Sequence, residues 1–180
     1  MLNIYHIEKA NNVNGNGCRY IIWLQGCRFY CKACWNKQTW HFKKNKILSI
    51  DQILNDIKKQ PNLQGITLTG GEPLLQANEL IKLIQLIKQQ TSLELHIFTG
   101  FEQAENKTAN QQKLINFADT IVFGRFDTNI ENNNQQVINQ KSKSSWQFNN
   151  TDIEIEIDED LNIVLTGYPT DKLINQIKIL

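Results

Sequence analysis

Three closely spaced cysteines are the residues of this chain whose type and spacing could do chemistry. Cys27, Cys31 and Cys34 follow one another at C-x3-C-x2-C spacing. Thiolates are ligands of zinc and of iron–sulfur clusters. Three of them cannot fill four coordination positions. The site therefore needs a ligand from elsewhere, or it keeps one position open for a small molecule.

The remaining cysteine, Cys18, is a poor candidate for the missing ligand. An apolar run rich in β-formers separates it from Cys27 and predicts a strand. Because a strand rises about 3.3 Å per residue, it would hold the two thiols more than about 15 Å apart. We expect Cys18 to be an ordinary packed thiol.

The overall composition bounds the class of protein. A chain of 180 residues suits a single domain, and a formal net charge of +1 gives no basis for electrostatic capture of nucleic acid. No apolar run approaches the roughly 20 residues that span a membrane, and the N-terminus lacks a signal-peptide pattern. We expect a cytoplasmic protein, in which clustered cysteines bind metal more often than they form disulfides.

The elements that must position these cysteines alternate between strands and helices. Strands are predicted at 20–25, 65–69, 93–99 and 120–126, and helices from Ser49, around 80–87 and at 102–117. Such repetition predicts parallel strands with right-handed crossovers. Because the chain is shorter than the ~250 residues of a full eight-unit barrel, the prediction is α/β, a partial, open parallel β/α barrel.

The last third of the chain has a different character. Residues 131–150 are polar and weakly periodic, which predicts a long surface loop. Residues 152–158 alternate strictly, and together with 162–168 they predict a C-terminal β-hairpin. Glu154 and Glu156 would form its solvated face. We expect one domain over 1–180, with its core in about 1–127.

A second motif, Gly70-Gly71-Glu72-Pro73, follows the strand predicted at 65–69. Adjacent glycines allow close approach of a ligand to the backbone, and proline fixes the turn that follows. Alone, the motif is equally typical of a tight turn. Ligands of parallel α/β sheets bind at the carboxyl ends of strands, where both this motif and the cysteine loop are predicted to lie.

Together the two motifs resemble the radical S-adenosylmethionine (SAM) superfamily. Within it, the chain is similar to the small activating enzymes of glycyl-radical enzymes, above all those of anaerobic ribonucleoside-triphosphate reductases. The segments that carry this likeness are Asn14-Gly15-Asn16-Gly17, Trp23-Leu24-Gln25-Gly26-Cys27, Cys34-Trp35-Asn36-Lys37-Gln38-Thr39-Trp40, Gly70-Gly71-Glu72-Pro73-Leu74-Leu75-Gln76 and Phe98-Thr99-Gly100. The resemblance covers about residues 1–127 well and the remainder loosely.

The resemblance implies a cofactor pair and a reaction. Cys27, Cys31 and Cys34 would each bind one iron of a [4Fe-4S] cluster, and SAM would chelate the fourth iron. One electron, from reduced flavodoxin or ferredoxin, would release methionine and a 5′-deoxyadenosyl radical. That radical would take a hydrogen atom from a glycine Cα of a partner enzyme. No catalytic residue is implied beyond the cluster and SAM.

The resemblance also implies roles for residues around the cluster. Gly70, Gly71 and Glu72 would run along the methionine part of SAM, Asn36 would help hold it, and Thr99 and Gly100 would lie near the ribose or adenine. The implied cofactor-binding residues are Asn36, Gly70, Gly71, Glu72, Pro73, Thr99 and Gly100. Trp35 stands where relatives place an aromatic beside the cluster, although it could equally be a packed core tryptophan.

Three positions depart from the pattern of these relatives. Phe123 stands about where aspartate is common, Gln136 replaces an arginine, and His41 replaces another aspartate. These departures bear on the partner or substrate more than on the cluster.

Other functions fit parts of the pattern. A radical SAM enzyme could modify another protein, a peptide or a small molecule, but such relatives usually carry further cluster cysteines, and none follows Cys34. A structural zinc site could use the three cysteines and His41. A protein that holds a cluster without cleaving SAM is a further alternative. Neither of these last two explains the glycine-rich motif.

Overall fold

A mixed seven-stranded β-sheet organises the part of the chain that the computed structural model describes, residues 1–130, 134–142, 146–147, 153–157, 163–167 and 173. In chain order the elements are β1 (Leu2–Asn11), β2 (Arg19–Leu24), β3 (Lys46–Leu48), α1 (Ile50–Lys58), β4 (Gly65–Gly70), α2 (Ala77–Gln90), β5 (Glu94–Thr99), α3 (Ala109–Phe117), β6 (Thr120–Phe123), β7 (Gln136–Asn139), β8 (Ile153–Ile157) and β9 (Ile163–Gly167). The sheet order is β3-β1-β2-β4-β5-β6-β7.

The centre of the sheet is parallel and its edges are antiparallel. β2, β4, β5 and β6 pair in parallel, as the alternation of strands and helices predicted. On one side β1 and β3 add antiparallel strands, and on the other side β7 pairs antiparallel with β6. The prediction of an all-parallel strand set was therefore incomplete.

The edge strands were missed for identifiable reasons. β1 has two register irregularities, between Ile4 and His6 and between Glu8 and Asn11, so its apolar residues do not alternate cleanly. The assignment of 131–150 to a loop was wrong at β7. That short strand is held by its ladder with β6, by a side-chain hydrogen bond from Thr120 to Asn139 and by packing of Ile138 against the core, and four residues are too few to show a clear periodicity in the sequence.

Side-chain caps define where α1 and α3 begin. Ser49 caps α1 through a reciprocal pair of bonds with Gln52, as the sequence predicted. An equivalent box between Thr108 and Gln111 starts α3, so the predicted helix at 102–117 was wrong in its first part. There, Lys107 Nζ donates to three backbone carbonyls and closes a turn. Within the described residues, no helix is long and apolar enough to cross a membrane.

The two faces of the sheet have different compositions. Alternate residues of β2 (Tyr20, Ile22 and Leu24) join the apolar core that includes the buried residues of α1, α2 and α3. Because side chains alternate along a strand, Trp23 of β2 lies on the other face. Phe98 of β5 shares that face. The site is built on this second face.

The β8–β9 pair lies beside the end of β1. These two strands pair antiparallel, with Ile155 opposite Leu165. Thr166 Oγ1 accepts from the Asn11 side chain, and Glu154 accepts from the backbone N–H of Asn12. Glu154, expected on a solvated face of the hairpin, is half-buried, and its bond to Asn12 lies at the surface. The residues between the strands, and the side chain of Glu156, lie outside the described part of the chain.

Candidate active site

The cysteine loop is fastened at both ends to the carboxyl end of β2. Gly26 N–H donates to the Thr39 carbonyl at 2.7 Å, and Cys27 N–H donates to the Trp40 carbonyl at 3.0 Å. The buried Gln25 side chain adds a bond to the Thr39 carbonyl. The loop thus leaves and re-enters the fold at one point, which limits how far its cysteines can move apart.

Within the loop, the three thiols face different degrees of solvent exposure. Cys27 is buried, whereas Cys31 and Cys34 are half-buried. Cys34 N–H donates to the Cys31 carbonyl at 2.9 Å, and Asn36 N–H donates to Cys34 Sγ at 3.3 Å. Tyr30 adopts a φ of 51°, which a non-glycine residue rarely does. The backbone here is shaped to present sulfur atoms.

Burial affects the protonation of these thiols. Burial, together with the nearby charges of Glu72 and Cys34, raises the pKa of Cys27 to about 11, although backbone hydrogen bonds from Phe29 and Tyr30 act to lower it. Burial also raises the pKa of Cys31. Metal-free Cys27 and Cys31 are consequently protonated at neutral pH, and binding of metal by their thiolates releases protons.

In the part of the chain that the structure describes, the fourth ligand of a zinc site is not placed beside the three cysteines. Among the described residues, no three His, Cys, Asp or Glu side chains converge on a single metal position. The His41 side chain, required for a Cys3His site, is exposed. A tetrahedral zinc site needs four ligands around one ion, whereas in an iron–sulfur cluster the cysteines bind separate irons.

The end of β4 packs directly against the start of the cysteine loop. Gly71 N–H donates to the Leu24 carbonyl, and Glu72 N–H donates to the Gly26 carbonyl, each at 2.8 Å. A Cβ on Gly71 would lie 2.4 Å from the Gly26 oxygen. Gly70 has a φ of 92°, which favours glycine. The two motifs recognised in the sequence are therefore in backbone contact.

The Glu72 side chain joins this contact to the end of β5. Its carboxylate is buried and accepts from Leu74 N–H at 2.9 Å, from the Thr99 hydroxyl at 2.8 Å and from Gly100 N–H at 2.8 Å. Burial raises the pKa of Glu72 to about 7, although these hydrogen bonds and the charge of Arg28 act to lower it. Glu72 thus fixes two strand ends relative to each other.

Aromatic rings and arginines cover the β5 side of the cysteine loop. The Phe29 ring lies against Gly100, where a Cβ would be 2.5 Å away, and packs edge-on against Phe101 at 5.1 Å. Arg125 lies 4.6 Å from the centre of the Phe29 ring, and Arg28 lies 4.8 Å from that of Phe101. Such cation–π contacts hold the loop against the sheet.

These elements enclose one cavity of about 350 Å³, large enough for a small-molecule ligand. Its lining includes nearly all the residues that the sequence suggested for the site: Cys27, Cys31, Cys34, Asn36, Gly70, Gly71, Glu72, Thr99 and Gly100. The thiols and the glycine-rich strand end thus share one space.

Three further residues complete the comparison with the sequence-based list. Pro73 does not line the cavity; it is buried at the start of a short 3-10 turn after β4. Trp35 lines the cavity and is 39% exposed, so it is not a core tryptophan. Cys18 precedes β2 whereas Cys27 follows it, and Cys18 is not part of the lining.

The rest of the lining was missed from the sequence. Trp23, Thr69 and Phe98 come from the face of the sheet opposite the core that α1, α2 and α3 share, and their alternation with core residues is the signal that could have found them. Asn14, Gln38 and Trp40 belong to the segments that carried the resemblance but were given no role in the site. The remaining residues lie far apart in the chain and met no recognised pattern: Phe29, Gly124, Phe126, Gln135, Leu165, Thr166 and Gly167.

Two of the departures from the relatives' pattern lie side by side. Phe123 and Gln136 are directly opposite each other in the β6–β7 register. An aspartate and an arginine at these positions would form a cross-strand pair of opposite charges. Here both charges are absent together. Neither residue lines the cavity, so the change lies outside the wall of the site.

Three thiols around one ligand cavity form an arrangement that suits an iron–sulfur protein. A family model described as a 4Fe-4S single cluster domain matches residues 13–147. This match includes all three cysteines and the glycine-rich motif.

Individual relatives narrow the class. The anaerobic ribonucleoside-triphosphate reductase-activating protein of Pasteurella multocida is 34% identical over 136 residues, which cover 70% of this chain and 85% of that protein. The corresponding protein of Enterobacteria phage T4 is 28% identical over 72% of this chain and 84% of that protein. The pyruvate formate-lyase-activating enzyme of Clostridium pasteurianum is 30% identical over 67% of this chain and 50% of that enzyme.

Among solved structures, the chain is similar to QueE from Escherichia coli, with a TM-score of 0.43 and 22% identity over 61% of this chain and 56% of that one. The chain belongs to the radical SAM activating enzymes of glycyl-radical enzymes, whose cofactors are a [4Fe-4S] cluster and SAM. The resemblance inferred from the cysteine spacing and the glycine-rich motif is thereby confirmed.

Proposed function

We propose that this enzyme cleaves SAM reductively and installs a glycyl radical on an anaerobic ribonucleoside-triphosphate reductase. The observation that carries the proposal is the shared cavity, in which three thiols lie beside the glycine-rich end of β4. The relatives named for this reductase support the choice of partner.

The residues present fit the two cofactors. Cys27, Cys31 and Cys34 would hold three irons of the cluster. The backbone at Gly70 and Gly71, which has no side chains to obstruct it, would lie along the methionine part of SAM. Asn36, Thr99 and Gly100 would contribute to the same binding site. Glu72 would hold the ends of β4 and β5 in position around this site, because its carboxylate already accepts hydrogen bonds from three donors.

When bound, the cofactors supply the reaction: one electron splits SAM into methionine and a 5′-deoxyadenosyl radical, which takes a hydrogen atom from a glycine Cα and leaves 5′-deoxyadenosine and a glycyl radical. The electron would come from reduced flavodoxin or ferredoxin. The protein positions these groups and shields them from solvent, with Trp23, Phe98 and Phe126 providing apolar wall.

The proposal extends to the architecture and the location. Residues 1–180 would act as one domain in which the sheet curves into a partial, open β/α barrel, with β8–β9 as its extension. A cytoplasmic location is part of the same proposal, because the reductase and its electron donor would have to be present with the enzyme.

Anaerobic reconstitution tests the cofactor part of this proposal. We expect about four irons per chain, a broad charge-transfer absorption, and formation of 5′-deoxyadenosine from SAM when a strong reductant is added. A colourless protein that binds zinc, or a reconstituted cluster that releases no 5′-deoxyadenosine, would contradict the proposal.

A further inference from the structure

The segment around the cysteine loop has a charge composition unlike the rest of the chain. No aspartate or glutamate occurs between Glu8 and Asp51, although the whole chain is nearly balanced at +1. Five lysines follow the first loop cysteine within this acid-free segment: Lys32, Lys37, Lys43, Lys44 and Lys46. We refer to these five residues as the lysine face.

The lysine face is available to a partner. All five side chains are exposed. Within the described part of the chain, none of them forms an ion pair with a carboxylate. Three large aromatic side chains, Tyr30, Trp35 and Phe42, are also exposed in this segment. Aromatic side chains are enriched at protein–protein interfaces, and the lysines around them would add charge steering.

The backbone beneath the lysine face is fixed. The Lys43 carbonyl accepts from the Asn3 side chain at 2.9 Å, and Asn45 N–H donates to the same side chain at 2.9 Å. The Asn45 side chain in turn donates to Gln25 at 3.1 Å. Gln25 also binds the Thr39 carbonyl at the end of the cysteine loop. The backbone that carries Lys43 and Lys44 is therefore linked through Gln25 to the backbone that carries the cysteines.

Parts of this surface lie next to the start of the cysteine loop. The Phe42 ring packs on Gly26, where a Cβ would be 3.0 Å from the ring, and Gly26 immediately precedes Cys27. Lys37 Nζ lies 6.0 Å from the centre of the Trp40 ring, and the Trp40 carbonyl holds Cys27 N–H. Among the described residues that line the cavity itself, none is a lysine.

We propose that the lysine face docks an acidic one-electron carrier protein, of the flavodoxin or ferredoxin class, and so admits the electron to the cluster. The inference rests on the proposed function and adds to it the place where the reductant binds. The carrier loses one electron and the cluster gains it, with no transfer of atoms. Transient redox complexes have small interfaces and depend on charge steering, which a cluster of unpaired lysines provides.

The glycyl-radical enzyme is a less suitable occupant of this surface. Its glycine must reach the cavity, whereas an electron carrier needs only to approach the outer side of the cysteine loop. Lys46 is left out of the experiment below, because it lies in the edge strand β3, where a lysine also discourages strand pairing between molecules.

A charge-reversal variant tests the proposal. Lys37→Glu, Lys43→Glu and Lys44→Glu are combined in one protein, and Lys58→Glu, Lys59→Glu and Lys113→Glu in a control with the same change of net charge. The control lysines are exposed on α1, just after it, and on α3. Formation of 5′-deoxyadenosine is measured at low ionic strength with reduced flavodoxin, and separately with photoreduced 5-deazariboflavin, a small neutral reductant. With the small reductant, the glycyl radical formed on the reductase is measured as well.

We expect the lysine-face variant to lose about tenfold or more of its flavodoxin-driven rate, and to keep its rate with the small reductant. Added salt should lower the wild-type rate with flavodoxin and leave the variant nearly unchanged. Equal flavodoxin-driven rates in the two variants would overturn the proposal. So would loss of glycyl-radical formation by the lysine-face variant with the small reductant, because the surface would then dock the glycyl-radical enzyme. Absence of 5′-deoxyadenosine from the wild type with either reductant would instead refute the proposed function.

Discussion

Replacing Gly71 by alanine should push the glycine-rich end of β4 away from the start of the cysteine loop. The added Cβ would lie 2.4 Å from the Gly26 oxygen, 2.8 Å from its carbonyl carbon and 3.0 Å from the Leu24 oxygen, all of them backbone atoms. Ordinary contact begins near 3.4 Å, so the strand end must move by about 1 Å. The φ of Gly71 lies outside the left-handed region, so the cost comes from the collision alone.

The magnitude follows from the bonds that such a movement breaks. The two hydrogen bonds between this strand end and the cysteine loop, each 2.8 Å long, would be stretched beyond bonding distance. At about 1 kcal/mol for each bond, with about 1–3 kcal/mol for overpacking, Gly71→Ala should lower the free energy of unfolding by about 3–5 kcal/mol. Urea unfolding of the metal-free protein under anaerobic conditions measures this, and the iron content after reconstitution should fall as well.

Gly100→Ala is the matched control, because the three atoms nearest to its Cβ would all belong to the Phe29 side chain, which can shift more readily than backbone. We expect it to cost about 1 kcal/mol and to leave iron binding largely intact. If Gly71→Ala unfolds within about 0.5 kcal/mol of the wild type, or if the two variants are equally destabilised, the inferred contact between the motifs is not what stabilises the site.

Three further predictions concern other residues. Burial lowers the pKa of His96 to about 3, so the unfolded chain takes up a proton that the folded chain does not, and the free energy of unfolding should fall as the pH drops below about 6.5. His96→Gln should flatten this dependence between pH 6 and 4 by about 1 kcal/mol per unit, as measured by urea unfolding. Cys31→Ala should abolish both the cluster absorption and SAM cleavage, whereas Cys18→Ala should preserve both. Asn11→Ala should lower stability by about 2–4 kcal/mol in thermal unfolding, because the fully buried amide accepts from Val13 N–H and Asn14 N–H and donates to Thr166.

Each of these predictions has a clear contrary outcome. Parallel pH profiles for the wild type and His96→Gln would show that His96 is not held neutral in the fold. Glu72 also has a raised pKa, and its protonation changes the free energy of unfolding with pH in the opposite direction. The wild type and His96→Gln are therefore compared with each other at each pH, so that the contribution of Glu72 cancels. A Cys18→Ala protein without a cluster would make Cys18 a ligand. If the Asn11→Ala protein is as stable as the wild type, the hydrogen bonds of the Asn11 side chain do not contribute to the stability of the fold.

The chemistry of the site was predictable from the sequence because it depends on local spacing. The cysteine spacing and the glycine pair were read from a few adjacent residues each. The parallel strands that position them followed from the alternation of apolar runs with capped helices, as at Ser49. These signals are short-range, and their physical causes act within a few residues.

The parts that escaped prediction depend on register between distant segments. Trp23 and Phe98 were recognisable as buried but not as cavity-lining, because their face is set by strand pairing. The fastening of the cysteine loop by the Thr39 and Trp40 carbonyls uses backbone atoms that no side-chain pattern indicates. Phe123 and Gln136 were noted as separate departures, and only the β6–β7 register makes them neighbours.

The most direct test of the central claim is electron paramagnetic resonance on a mixture of the reconstituted enzyme, SAM, a one-electron reductant and an anaerobic ribonucleoside-triphosphate reductase. The account predicts a glycyl-radical signal on the reductase, formed with release of 5′-deoxyadenosine and absent when Cys31→Ala enzyme is used. If SAM is cleaved at an undiminished rate while no glycyl radical forms on the reductase, the enzyme acts on a different substrate and the claim is contradicted.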